Sequence, residues 1–279
     1  MAACMTRMVP TFFIIGERKC GTSSLFRYLA DHPQVLPGKR KEPNFFAHPP
    51  EYLRTHWEQY LANFPEIGKS SATLIWPELN AQGILYEEEV TYVRTAAGIT
   101  ITGEASANTF FDVPPEIVKE FLPEIKLIVL FRNPVDRAYS HYRMLRRFTD
   151  EGRAIGWQLG TFEEELDREM AMIRDGNYGQ LLAPSSYILK LPAWVEHFGW
   201  ENIRILDSQR LDTPGTLKKT MVDLYRWLGL EPIANGRYPR YNQAPPEAIP
   251  AALRDRLETY FRPYNNALFD YLGYRLLWE

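Results

Sequence analysis

A loop bounded by two glycines, Gly16 and Gly21, is the feature that most restricts how this chain can fold. The residues before it, 11–15, form a compact run of β-branched and aromatic side chains, which predicts a buried strand. After it, residues 23–30 carry apolar side chains at helical spacing, and this helix is expected to end before Pro33. The chain therefore opens as strand, loop and helix, an arrangement that presents backbone N–H groups and a helix N-terminus to an anion.

The spacing of the two glycines matches a Walker A loop, G-x-x-x-x-G-K-[ST], with one difference. Thr22 follows Gly21 where the Walker motif has lysine, and a lysine stands inside the loop instead, at Lys19. The predicted anion-binding residues are those of the loop and of the first turn of the helix: Arg18, Lys19, Cys20, Gly21, Thr22, Ser23 and Ser24.

Residues 125–131 are the most strongly predicted strand of the chain, because a nearly continuous apolar run suits a central parallel strand covered on both faces. Arg132 follows it, at a place where a Walker-type nucleotidase needs an aspartate to help hold Mg²⁺. Asn133 is the predicted N-cap of the next helix and Pro134 its first residue. A site with Lys19 and Arg132 can hold phosphates directly, so the sequence predicts that no metal is needed.

Strands alternate with helices along the rest of the chain. We predict helices at 49–64, 161–174, 186–198, 217–228 and 251–272, and strands at 35–36, 99–103 and 203–206. Residues 66–99 give mixed signals, and the clusters Pro77-Glu78 and Glu87–Glu89 favour helical pieces within an insertion. The alternation predicts an α/β fold with a central parallel sheet flanked by helices, in a single domain spanning residues 1–279.

Composition excludes several classes of function. Hydrophobic residues make up 45% and charged residues 24% of the chain, as in ordinary soluble domains. A net charge of −3 argues against nucleic acid as a partner, and the five histidines lack metal-ligand spacing. The chain has no apolar stretch of ~18 residues, the length of a transmembrane helix. Its apolar run at 12–15 is too short for a signal peptide, and we expect no membrane partner. Only two cysteines, Cys4 and Cys20, suit a reducing compartment, and we expect a cytoplasmic protein.

Two segments resemble the motifs of a known family. Residues 13–25, FIIGERKCGTSSL, resemble the 5′-phosphosulfate-binding motif of sulfotransferases that use 3′-phosphoadenosine-5′-phosphosulfate (PAPS), above all the heparan sulfate type and its bacterial relatives. Residues 130–142, LFRNPVDRAYSHY, resemble that family's 3′-phosphate-binding motif. The resemblance implies that Arg132 and Ser140 contact the 3′-phosphate. Ser140 lies about two turns along the predicted helix, on the same side as Arg132.

Two shorter segments resemble the same family and imply where the acceptor lies. Residues 41–46, KEPNFF, are similar to its K-E-x-x-F-F loop, which implies that Glu42 is the general base. Residues 103–106, GEAS, are similar to its G-E-[KA]-[ST] segment, which places Glu104 on the acceptor side together with Phe45. Some members carry lysine where this chain has Ala105. The fold implied is the P-loop-kinase-like fold of sulfotransferases.

Sulfuryl transfer requires that the leaving oxygen be stabilised and that the attacking hydroxyl lose a proton. We predict that Lys19 neutralises the bridging oxygen and 5′-phosphate and that Glu42 takes the proton. His48 and His141 are rival bases, because another branch of sulfotransferases uses histidine. The Lys-Gly-Phe loop that closes over the cofactor in heparan sulfate enzymes is replaced here by residues 238–243, where Arg240 would supply the cation.

The sequence thus predicts transfer of a sulfuryl group from PAPS to an acceptor hydroxyl, with release of PAP and without a metal. The acceptor stays open between a polysaccharide, a small natural product and a carrier-bound acyl group, and residues 66–99 are expected to shape its side of the site. A P-loop nucleotide kinase or ATPase, a non-catalytic protein that binds PAP or another nucleotide, and a structural protein with a coincidental loop are the alternatives.

Overall fold

The computed structural model of the chain describes residues 6–79, 85–94, 101–233, 236–239, 241 and 247–278. Its strands are β1 (Phe12–Gly16), β2 (Ser71–Leu79), β3 (Leu85–Val93), β4 (Gly103–Ala105), β5 (Lys126–Phe131) and β6 (Ile203–Asp207). Its helices are α1 (Thr22–Ala30), α2 (Pro50–Leu61), α3 (Thr109–Asp112), α4 (Pro115–Phe121), α5 (Pro134–Asp150), α6 (Phe162–Arg174), α7 (Leu191–Phe198), α8 (Pro214–Leu228) and α9 (Ala251–Leu272).

The central sheet is parallel, and its strand order within the described residues is β4-β1-β5-β6. Every residue of β1 is buried, and β5 is buried from Leu127 onward, as expected for inner strands covered on both faces. β1 and β5 are neighbours, so the residues that follow Gly16 and Phe131 leave the sheet side by side at its carboxyl edge. β4 ends at the same edge on the other side of β1.

Side chains alternate between two apolar layers along β1, because successive residues of a strand face opposite sides. Phe12 and Ile14 pack with α1 and α8 in one layer. Phe13 and Ile15 pack in the other layer with residues of α2, α3, α4, α7 and α9. A third cluster joins α5, α6 and α9. This arrangement confirms the predicted α/β fold with a parallel sheet between helices.

An antiparallel hairpin of β2 and β3 occupies most of the predicted insertion, so the prediction of helical pieces at Pro77-Glu78 and Glu87–Glu89 is wrong. Trp76 of β2 is fully buried and stacks on Phe26 of α1, with ring centroids 6.2 Å apart. Burial of strand side chains against α1 therefore outweighs the helix preference of glutamate. The N–H of Ile75 donates to the Lys39 carbonyl at 2.7 Å, so the hairpin also borders the segment that leads to Glu42. A role of this region on the acceptor side stays a prediction.

Residues 186–198 do not form the single helix that we predicted. A 3₁₀ turn at Tyr187–Leu189 comes first, and α7 follows it. Pro192 is the second residue of α7 and has no N–H to donate, so it suits the start of a helix and not its interior. Within the described residues, no helix is both long and apolar enough to cross a membrane.

Candidate active site

The loop between β1 and α1 leaves the first turn of a helix open to an anion. Gly21 is the N-cap of α1 in the left-handed region (φ 95°), and its position carries no side-chain cap. The N–H groups of the first turn are therefore not occupied by a capping side chain. A Cβ at Gly16 would lie 2.8 Å from the Cβ of Phe110, so the residue that ends β1 must also be glycine. The left-handed backbone therefore favours glycine at position 21, and close packing requires glycine at position 16.

Arg132 lies directly beside this loop. Its Nη1 donates to the Lys19 carbonyl at 3.1 Å, which joins the two phosphate motifs predicted from the sequence. The next residue, Asn133, caps α5 as predicted, and its side chain accepts from the N–H of Val135 at 2.9 Å. The structure thus brings the two motifs together at the carboxyl edge of β1 and β5.

A buried tyrosine holds Arg132 in place. The Tyr187 hydroxyl donates to the Arg132 carbonyl at 2.9 Å, and the Arg132 N–H donates to the same hydroxyl at 3.2 Å. The hydroxyl also lies 3.7 Å from the Sγ of Cys20. Sequence reasoning missed Tyr187, because nothing in its local sequence marks it as a neighbour of residue 132.

Cations surround Lys19. Burial is the main cause that lowers the pKa of Lys19 to about 8, and the charges of Arg147, Arg132, Arg137 and Arg143 lower it further. Within the described part of the chain, neither Lys19 nor Arg132 forms an ion pair with a carboxylate. Ser140 is half-buried on α5, one and two turns before Arg143 and Arg147. Sequence reasoning had not singled out these two arginines. Arg143 pairs with Glu247 and Arg147 with Glu151, so Lys19 and Arg132 carry the positive charge that suits a polyanion here.

The other residues of the predicted phosphate loop have different surroundings. Arg18 pairs with Asp112 of α3 at 2.9 Å. The thiol of Cys20 is buried, and burial raises its pKa to about 12. Thr22 is buried and Ser23 is half-buried, and the Oγ of Ser24 accepts from the N–H of Tyr241 at 3.2 Å. The predicted cation Arg240 lies outside the described residues.

Glu42 stands next to the carboxyl end of β4, held by backbone groups. Its N–H donates to the Ala105 carbonyl at 2.8 Å, and its Oε2 accepts from the N–H of Ala107 at 2.8 Å. Its Oε1 pairs with the ammonium group of Lys41. The residue has a left-handed backbone (φ 58°), and its side chain is 31% exposed. Glu42 is therefore an oriented carboxylate that solvent can reach.

Glu104 is buried beneath this turn and does not face solvent. Its two oxygens accept from the hydroxyls of Tyr60 and Ser106, the latter at 2.6 Å. Burial raises the pKa of Glu104 to about 7. The Ser106 hydroxyl also accepts from the N–H of Asn44 at 3.1 Å. Glu104 thus anchors the turn that carries Glu42.

Phe45 and the two histidines occupy different surroundings. Phe45 is buried, with its ring stacked on Tyr60 at 4.5 Å between centroids. His48 is exposed and lies 4.3 Å from the Tyr52 ring. His141 is buried and its Nδ1 donates to the Gln180 carbonyl at 3.0 Å. Burial and nearby arginines hold the pKa of His141 well below its usual range. The roles assigned to these side chains stay predictions.

A glycine-bounded loop after one central strand, an arginine after the next and an oriented carboxylate beside them are typical of a nucleotide-binding enzyme on a parallel α/β sheet. The chain belongs to the sulfotransferase family, because the model of the Sulfotransferase family matches residues 10–183, which is more than half of its length. This match confirms the family resemblance seen in the sequence.

Named relatives agree with this assignment. The bifunctional heparan sulfate N-deacetylase/N-sulfotransferase 1 of Caenorhabditis elegans is 24% identical over 299 residues, covering 96% of this chain and 30% of that protein. Carbohydrate sulfotransferase 15 of Mus musculus is 28% identical over 265 residues, covering 82% of this chain and 45% of that protein. The chain spans less than half the length of these two relatives.

A solved structure shares the fold. The sulfotransferase from Alicyclobacillus acidocaldarius aligns with a TM-score of 0.68 at 23% identity, over 96% of this chain and 97% of that one.

Proposed function

We propose that this protein transfers a sulfuryl group from PAPS to an acceptor hydroxyl and releases PAP. The observation that carries the proposal is the contact between the two phosphate motifs, where Arg132 Nη1 meets the Lys19 carbonyl at 3.1 Å. Positive charge gathers there around an uncapped helix N-terminus, and Glu42 stands at the same edge of the sheet. PAPS supplies the activated sulfuryl group and the leaving nucleotide.

Each element of the site has a separate task in this proposal. The first-turn N–H groups of α1 and the ammonium group of Lys19 hold the 5′-phosphate side and offset charge on the leaving oxygen. Arg132 and Ser140 hold the 3′-phosphate, which distinguishes PAPS from ordinary adenine nucleotides. Glu42 accepts the proton of the attacking hydroxyl. These cations replace the metal that a P-loop kinase would need, so we expect activity in the presence of EDTA.

A carbohydrate is the acceptor class that we propose to test first. Heparan sulfate and carbohydrate stand in the names of the relatives above. A cavity of about 440 Å³ lies next to the segment that leads to Glu42, and both polar and apolar side chains line it. Three cationic side chains, those of Arg7, Lys39 and Lys69, face it together with Glu66. Such a lining suits a hydroxylated acceptor that carries negative charge.

A transfer assay tests the proposal. The purified protein is incubated in EDTA with PAPS labelled in the sulfuryl group and with polysaccharides, small alcohols or phenols, and a carrier-bound hydroxyacyl group in separate reactions. We expect label to reach a polysaccharide and PAP to form in equal amount. Transfer only to another acceptor class would overturn the carbohydrate proposal. No transfer to any acceptor, with phosphate transfer from ATP–Mg²⁺ instead, would overturn the function itself.

Affinity for PAP is expected to fall as pH rises through about 8, the pKa of Lys19 in the free protein. A bound phosphate holds the proton on Lys19 and raises that pKa. The bound state then carries more protons than the free state, so affinity should fall by up to about tenfold per pH unit above this value. Calorimetric titrations across this range measure the effect. Lys19→Arg keeps its charge, and an equal fall in that variant would assign the effect to another group.

A further inference from the structure

We propose that Glu169 of α6 is a positioning residue for the donor nucleotide and acts on the phosphate loop through Arg137. The inference rests on the proposed function and extends its machinery to a helix outside both phosphate motifs. We call the connected groups the buried brace: Glu169, the peptide groups of residues 180–182, Arg137 and Glu17.

The first part of the brace is a carboxylate that binds three consecutive backbone N–H groups. Glu169 is 2% exposed. Its Oε1 accepts from the N–H of Gln180 at 2.7 Å and of Leu181 at 2.8 Å. Its Oε2 accepts from Leu181 at 3.0 Å and from Leu182 at 2.8 Å. A Cβ at Gly179 would lie 2.1 Å from the Cδ of Glu169, so the chain approaches as closely as glycine allows.

The second part of the brace is an arginine that binds the carbonyl groups of the same segment. Arg137 of α5 is fully buried, and its Nη2 donates to the carbonyls of Gln180 and Leu181, each at 2.9 Å. Its Nε donates to the Oγ of Ser185 at 2.6 Å. Glu169 thus fixes the N–H side of this segment while Arg137 fixes the carbonyl side. Loss of Glu169 would leave the buried N–H groups of Leu181 and Leu182 without partners, which is costly.

The third part reaches the phosphate loop. Arg137 Nη1 donates to the Arg18 carbonyl at 3.3 Å and lies 3.5 Å from the Oε1 of Glu17. That same oxygen accepts from the N–H of Arg18 at 2.7 Å. Both Glu17 and Arg137 are fully buried, so solvent does not compete for these contacts. The peptide group of Arg18, which immediately precedes Lys19, is therefore oriented from inside the protein.

The brace controls which atoms the loop offers to an anion. With its carbonyl held by Arg137, the Arg18 peptide cannot turn an oxygen toward a bound phosphate. Weakening the brace at Glu169 frees residues 180–182, and Arg137 loses two of its fixed acceptors. The loop then samples orientations that bind phosphate less well. Because coupling between sites is reciprocal, bound nucleotide must stabilise the brace by the same factor.

Two matched variants on one helix test this inference. Glu165 lies one turn before Glu169, is also buried, and accepts from the N–H of Gly160 at 2.8 Å, away from residues 180–182. We expect Glu169→Gln to weaken PAP binding about tenfold or more, which is a typical strength of coupling between two sites. We expect the PAP affinity of Glu165→Gln to stay within about twofold of the wild-type value. Titrations are made well below each Tm. Unchanged affinity in Glu169→Gln, or equal weakening in both variants, would overturn the inference.

Hydrogen exchange on the wild-type protein gives a test that needs no variant to fold. Saturating PAP should slow exchange of the amides of residues 180–182 and leave that of Gly160 unchanged. Equal exchange with and without PAP at residues 180–182 would overturn the inference while PAP binding itself upheld the proposed function. A wild-type protein that fails to bind PAP would overturn the proposed function, and this inference with it.

Discussion

Glu42→Gln is expected to lower kcat for sulfuryl transfer about 10²–10⁴-fold, the contribution typical of a general base. Glutamine keeps an oxygen for the N–H of Ala107, so the backbone of the turn can persist, but it cannot take a proton. The side chain of Glu42 contacts Lys41 and Ala107, which lie outside the phosphate motifs. PAP affinity should therefore change little, and kcat should carry nearly the whole effect.

The control for this variant is Glu51→Gln, which alters an exposed glutamate in the first turn of α2 and should leave kcat unchanged. Normal turnover in Glu42→Gln would contradict its role as base and transfer that role to His48 or His141. His141 is the poorer candidate structurally, because it is buried and donates to the Gln180 carbonyl.

Arg132→Ala is expected to weaken PAP binding roughly 10–150-fold, the factor that corresponds to losing a charged hydrogen bond of about 1.5–3 kcal/mol. The guanidinium group has no carboxylate partner within the described residues, so its charge is available to a phosphate. Binding of 5′-AMP, which lacks the 3′-phosphate, should change much less. Calorimetric titration of both nucleotides against both proteins measures the difference.

Arg174→Ala serves as the control for charge, because Arg174 is exposed at the end of α6. It should leave both affinities unchanged. Equal losses for PAP and AMP in Arg132→Ala would contradict the 3′-phosphate assignment. Such a result would mean that Arg132 acts only through its hydrogen bond to the Lys19 carbonyl.

Local signals made the core of the site predictable from sequence. The run before Gly16, the position of Arg132 after a buried strand and the Asn133 cap each depend on neighbouring residues, and the structure contains all of them. Neighbouring parallel strands then bring their carboxyl ends together without further information. The prediction of the fold is therefore confirmed, and the structure brings the two motifs into contact, while the roles of their residues stay predictions.

Features that depend on distant contacts were not predictable. The three glutamates at 87–89 favour helix locally, but the pairing of β2 with β3 and the burial of Trp76 on α1 place them in a strand. Tyr187 is separated from Arg132 by 55 residues, and only the fold brings them together. Arg137 stands inside a recognisable motif, yet its partners at residues 180 and 181 are known only from the structure.

The most direct test of the account is calorimetric titration of the protein with PAP and 5′-AMP in EDTA, and with ATP–Mg²⁺ for comparison. We expect metal-free binding of PAP at micromolar concentrations or lower, with much weaker binding of AMP and ATP–Mg²⁺. Such a result would show that the site reads a 3′-phosphate through cationic side chains. Preference for ATP–Mg²⁺, or binding to none of these nucleotides, would contradict the proposal that this chain uses PAPS.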